Sequence, residues 1–172
     1  MPLLKDGRVV DDPWRHLDDN ESLPEGEAAT VSLKRWSGER DALYRRTGRI
    51  GLRLPNDAVA TSLSEDVERF DLITLSFPRF TDGRAYSQAR LLRGRLGFRG
   101  ELRATGNVLR DQLLFMRRCG IDAFEVDARA VAENWLAALG DVDVFYQPAE
   151  DGRPWIARQR SPLSGRGDEK AS

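Results

Sequence analysis

The feature that most constrains this chain is a regular alternation of strand-like and helix-like stretches. Short apolar runs occur at TVSLKRW (30–36), RIGLRL (49–54), DLITLSF (71–77), ELRA (101–104), IDAFEV (121–126) and VDVFY (142–146). The stretches between them carry apolar residues three and four positions apart, the period of a helix. The repeat is roughly 20 to 29 residues, the length of a βα unit, and units of that kind build a parallel sheet with right-handed crossovers. DLITLSF is apolar at nearly every position, as a strand covered on both faces is. The fold class expected is therefore α/β, with repeated βα units in a parallel sheet. Too few units are present for the eight of a closed barrel. The sheet is either an incomplete (βα) barrel or an open doubly wound layer, and the lack of a Gly-rich first turn favours the barrel-like form.

Three regions follow. Residues 1–29 hold Leu3-Leu4 and Val9-Val10 around Asp6-Gly7, a hairpin signal that suits a cap on the domain. An acidic loop with Pro13, Pro24 and Gly26 comes next, where Trp14 and Leu17 are candidate anchors. Residues 30–147 form the single βα domain. Residues 148–172 turn polar, with Trp155-Ile156 as a last anchor and the composition of a disordered tail beyond it. Within the domain, helices are expected at Ser37–Arg46, capped by Ser37, and at Ala58–Arg69, with Val59, Leu63, Val67 and Phe70 inward. A third spans Arg84–Leu96, capped by Asp82. Its inward stripe is Ala85, Tyr86, Ala89, Leu92 and Leu96, which leaves Arg84, Arg90, Arg93 and Arg95 outside or at an edge. Gly94 weakens that helix by about 1 kcal/mol relative to alanine. The last two expected helices are Val108–Arg118 and, capped by Asp127, Ala128–Leu139.

Composition excludes several functions. The net charge is -1, with Lys+Arg 27 against Asp+Glu 28. No whole-molecule attraction to nucleic acid follows, and basic residues do not interleave with aromatic ones. No apolar run approaches the roughly 20 residues of a membrane span, and the N-terminus lacks the apolar core of a signal peptide. The single cysteine, Cys119, rules out an internal disulfide and fits a reducing, cytoplasmic compartment. Cys119 reads as a buried, inert thiol. With only His16 beside it, iron–sulfur, haem and structural zinc sites have almost no ligands to draw on. His16, in the acidic loop, reads as a surface residue that makes neither a metal site nor a triad alone. GxGxxG, Walker A and GxSxG motifs are absent. No cofactor is evident; a flavin would be the one to supply redox chemistry.

The charges are unevenly spread. Residues 79–118 hold ten arginines against Asp82, Glu101 and Asp111. In a parallel sheet, ligands bind beyond the carboxyl ends of the strands. That rule gathers Arg79, Thr81, Asp82, Gly83 and Arg84 after the third strand, and Arg103, Asn107, Arg110 and Asp111 after the fourth, with Arg53 near by. Arginine forks and helix N-termini suit a phosphate, sulfate or carboxylate. Two readings stand side by side: an anion or partner site, or arginines paired with Asp82, Asp111 and Glu101, with Asp82 serving only as a cap. Phe77, Pro78 and Phe80 either line a pocket or pin their loop to the core.

The stretch FPRFTDGRAYSQARLLRGRLGFRGELRATGNVLRDQ, followed by RRCGIDAFEV, resembles the bacterial family labelled domain of unknown function 934, over roughly Ile50 to Phe145. Members are commonly encoded beside the assimilatory sulfite reductase haemoprotein and phosphoadenylylsulfate reductase, and are often described as oxidoreductases of sulfite reduction. The resemblance implies an accessory role in assimilatory sulfate and sulfite reduction, with the haemoprotein as partner. The alternative, drawn from the strand-end residues, is a small flavin- or anion-using enzyme with its site at that rim. The family pattern has Asp where this chain has Asn107, and a charged residue at Gly94, so no catalytic base is assigned at 107.

Overall fold

Apolar alternation builds the sheet expected. In a computed structural model that describes residues 1–128 apart from Gly7 and Phe80, five strands run parallel and side by side in chain order: β4 (Ala29–Ser32), β5 (Ile50–Leu54), β6 (Leu72–Phe77), β7 (Glu101–Gly106) and β8 (Ala123–Glu125). The helix expected from Ala128, the strand at 142–146, the tail at 148–172 and Phe80 lie outside the described residues. Strand order never reverses, so there is no switch point and the doubly wound alternative is set aside. The expected N-terminal hairpin forms from β1 (Leu3–Lys5) and β2 (Arg8–Val10). It does not cap the domain; it joins the sheet, β1 pairing antiparallel with β8. Within the acidic loop, β3 (Arg15–His16) adds a parallel strand beside β4. The eight-stranded order is β2-β1-β8-β7-β6-β5-β4-β3.

The sheet is strongly curled. Along it, β8 and β3 are five steps apart, a gap of about 24 Å in a flat sheet at roughly 4.8 Å per step. Yet ligand atoms of Glu125 on β8, His16 on β3 and Asp12 all lie within 4.8 Å of one another. The architecture is an open half-barrel, the barrel-like form. Its outer face presents Val31, Leu52, Leu54, Ile73, Leu75, Phe77, Leu102, Ala104 and Phe124 to the main core, all buried. Burying such a side chain fully contributes about 1.5–3 kcal/mol. The inner face carries Thr30, Gly51, Leu72, Thr74, Glu101, Arg103 and Glu125, by the two-residue alternation of a strand. Trp14 lies over that face at 5 % exposure, and Leu17 is fully buried, as their anchor roles require. Gly51 makes room: a Cβ there would sit 2.9 Å from Thr30 Cγ2 and 3.2 Å from the Trp14 ring.

The crossovers depart from expectation for identifiable reasons. The first helix, α1 (Leu33–Arg45), starts four residues before Ser37, because Ser32 is the cap: its Oγ accepts from the Arg35 N–H at 3.0 Å. The strand expected to run to Trp36 therefore ends at Ser32. Trp36 instead packs its ring edge-on to Phe70 at 4.5 Å and donates Nε1–H to Asp66 at 3.0 Å. Asp66 also takes two hydrogen bonds from Arg40. The helix expected over Ala58–Arg69 is two 3₁₀ turns, Ala60–Leu63 and Val67–Arg69, with Asp66 between them turned to α1. Leu63, Val67 and Phe70 are buried as expected, whereas Val59 is 67 % exposed.

Helix α2 (Arg84–Arg90) widens into a π turn at Leu91–Arg95, closed by Leu96 N–H to Leu91 O at 3.0 Å. Arg93, expected outside or at an edge, is half-buried and turned inward there. It donates to three backbone carbonyls, Gly120 at 2.9 Å, Phe98 at 2.6 Å and Gly100 at 2.8 Å, and pairs with Asp122. After β7, the expected Val108–Arg118 helix is a 3₁₀ turn at Arg110–Gln112 followed by α3 (Leu113–Arg118). Gly106 links β7 to it at φ +92°, where a Cβ would meet Phe77 O at 2.6 Å, so only glycine fits.

Candidate functional site

The strand ends place the predicted rim residues in two loops. After β6, Arg79, Thr81, Gly83 and Arg84 are exposed and Asp82 is half-buried. Gly83 occupies the cap position of α2, one residue after the expected Asp82, yet Asp82 Oδ1 still accepts from the Arg84 N–H at 3.2 Å. The same carboxylate receives the Arg84 guanidinium at 3.0 and 2.6 Å and the Asn56 amide at 2.6 Å. The Arg84 hydrogen bonds hold its pKa down at about 2. Asp82 thus occupies, with its own negative charge, the position an external anion would take. After β7, Asn107 donates its N–H to Phe77 O at 2.7 Å, which ties the two loops together. Asn107, Arg110 and Asp111 are exposed beside them.

Arg103 does not belong to this rim. Strand alternation puts it with Glu101 on the inner face, and it is fully buried. Its Nη1 donates to Asp12 at 2.7 Å and to Glu125 at 3.2 Å, and its Nε to Glu101 at 2.9 Å. Nη2 lies 2.9 Å from the same Glu101 oxygen, but its N–H bonds are not aimed at an acceptor. Lys5 closes the far side of Glu101 at 2.6 Å. His16 bridges the near side, with Nε2 3.0 Å from Asp12 and Nδ1 2.9 Å from Thr30 Oγ1. Burial by itself would raise the Asp12 pKa; the bonds from Arg103 and His16 outweigh it and leave the carboxyl below its ordinary value. For Arg103, burial opposes the charge, and the carboxylates around it keep the guanidinium's pKa raised.

This interior network was missed from the sequence. One signal was available: Glu101 and Arg103 are two apart on a strand and must share a face. That face cannot be read as the inner one without the curl, and Asp12 and His16 reach it only through the N-terminal segment. Asp12, His16 and Glu125 are the described residues spaced to hold a metal ion. The Arg103 guanidinium in contact with both Asp12 and Glu125 opposes a cation there. Arg53, placed near the rim by sequence, reaches instead across β4 to the Leu17 carbonyl. Cys119 is buried. Tyr86 is half-buried, its hydroxyl pKa raised by burial.

A mixed, mainly parallel open half-barrel with a salt-bridged interior and an arginine-lined strand-end rim is the class of protein that fold and site define. Residues 51–156 match the family described as bacterial protein of unknown function (DUF934), and the chain belongs to that family. No curated protein and no solved structure matches it. Among the described residues no helix is long and apolar enough to cross a membrane.

Proposed function

We propose that the chain is a non-catalytic accessory protein of assimilatory sulfate and sulfite reduction, working in the cytoplasm by binding the sulfite reductase haemoprotein. One observation carries the reading. The charged groups placed where chemistry would occur are already satisfied by one another: Asp82 by Arg84 and Asn56, and Arg103 by Asp12, Glu101 and Glu125. Groups neutralised in this way position backbone and hold loops; they are not poised to bind a substrate anion. The sequence supports the same view, since one cysteine and one histidine leave redox chemistry to a partner.

The second reading is a small flavin- or anion-using enzyme. Exposed Arg79, Thr81 and Arg110 at adjacent strand ends favour it. One set of measurements separates the two. The accessory reading expects co-purification with the haemoprotein, no flavin absorption, and a melting temperature unmoved by sulfite, sulfate or phosphate. A yellow protein, or an anion-dependent rise in melting temperature, without capture of the haemoprotein would overturn it in favour of the enzyme.

A further inference from the structure

We infer that the face built by α2, the π turn and α3 is a docking surface for an acidic protein surface that presents an apolar side chain. The inference deepens the accessory reading above but stands on separate observations. Between Gly83 and Gly100 the chain has five arginines and no acid. Arg84 is neutralised by Asp82, and Arg93 is spent on backbone carbonyls and Asp122. Arg90, Arg95 and Arg99 are exposed and make no ion pair among the described residues. The i to i+5 bonding of the π turn brings residues five apart into neighbouring positions, so Arg90 and Arg95 share a face.

An apolar anchor lies beside Arg90. Phe115 on α3 is 49 % exposed. Its ring is held 4.8 Å from Tyr86, which packs edge-on to buried Phe77 at 5.1 Å. The Arg90 guanidinium sits 5.6 Å above the Phe115 ring. An exposed aromatic ring fixed by its neighbours and set against an arginine has the composition of an interface hot spot. Guanidinium groups pair with carboxylates and with phosphates, so the choice between them rests on the ring and the overall charge. Nucleic acid fits less well: Arg90 already covers the ring face on which a base would stack, and the whole chain is close to neutral.

The test uses fluorescence anisotropy with a labelled glutamate–leucine peptide, single-stranded DNA of equal charge and anionic lipid vesicles. The protein is compared with Arg90→Glu/Arg95→Glu and Phe115→Ala, each checked for an unchanged melting temperature. The peptide is expected to bind most tightly. The double reversal should weaken it about tenfold or more, and Phe115→Ala about tenfold with the salt dependence kept. Equal peptide binding by the double reversal, no binding by the native chain, or tighter binding to DNA or vesicles overturns the surface. Haemoprotein capture by both the native chain and the reversal also removes the surface while leaving the accessory reading intact. Peptide discrimination without any haemoprotein capture removes the accessory reading and leaves the surface standing.

Discussion

Arg103 is fully buried and Arg93 is turned inward and half-buried, whereas Arg90, Arg95 and Arg99, from the same stretch of chain, face solvent. The inner pair are each held by several acceptors. Arg103 is held by three carboxylates from β7, β8 and the N-terminal segment, and Arg93 by three carbonyls and Asp122. A buried guanidinium must be matched by acceptors or it costs several kcal/mol, so these two act as rivets. The outer arginines meet no such demand and make no ion pair among the described residues. One residue type therefore occupies two environments in one region, and burial separates them.

The largest expected effect tests the inner set. Arg103→Met strands three carboxylates on the inner face and should cost about 3–5 kcal/mol in denaturant unfolding, the range for breaking a buried pair from one side. A loss near zero would mean that the network is solvated and the contrast with the outer arginines is false. Arg93→Ala comes next. Its carbonyl partners lose their donor, and a cost of about 1–3 kcal/mol is expected from thermal or chemical melts. Hydrogen exchange should localise the damage to the Phe98–Gly100 and Gly120–Asp122 turns.

Acid should loosen the N-terminal segment before the rest of the fold. The Asp12 carboxyl titrates below its ordinary value, so its contribution is complete above about pH 4, the unfolded value, and is lost as pH falls through the folded one. Asp122 works in the opposite sense: burial raises its pKa, and protonation relieves a cost. A local probe is therefore the right one. Trp14, packed against Gly51 and beneath the Arg49 guanidinium at 4.6 Å, should change fluorescence in acid ahead of global unfolding. Asp12→Asn should remove that early step. The smallest effect belongs to the outer set: Arg90→Glu/Arg95→Glu should move stability by no more than about 0.5 kcal/mol. A large loss would show that these arginines are also structural and erase the comparison.

Much of the fold was legible in sequence because a strand's two-residue alternation and its Gly and Pro stops are local. RIGLRL and DLITLSF became β5 and β6 almost to the residue, and the Asp6-Gly7 signal marked the hairpin. The errors fell where a side chain's partner is distant in sequence. Asp66, bound to Trp36 across thirty residues, sits where the next helix breaks into two turns. Arg93 and Arg103 looked like surface arginines because nothing nearby in the chain announces the carbonyls and carboxylates that receive them.

The sequence by itself determined the βα repeat, the family, and the concentration of arginine between Arg79 and Arg118. Tertiary structure decided that the sheet curls, which brings Asp12, His16 and Glu125 together from the two ends of the parallel run. It also decided which arginines are consumed. Period and composition act over a few residues, but the partner of a buried charge is chosen by the curl of the whole sheet, and only the curled sheet separates Arg103 from Arg95.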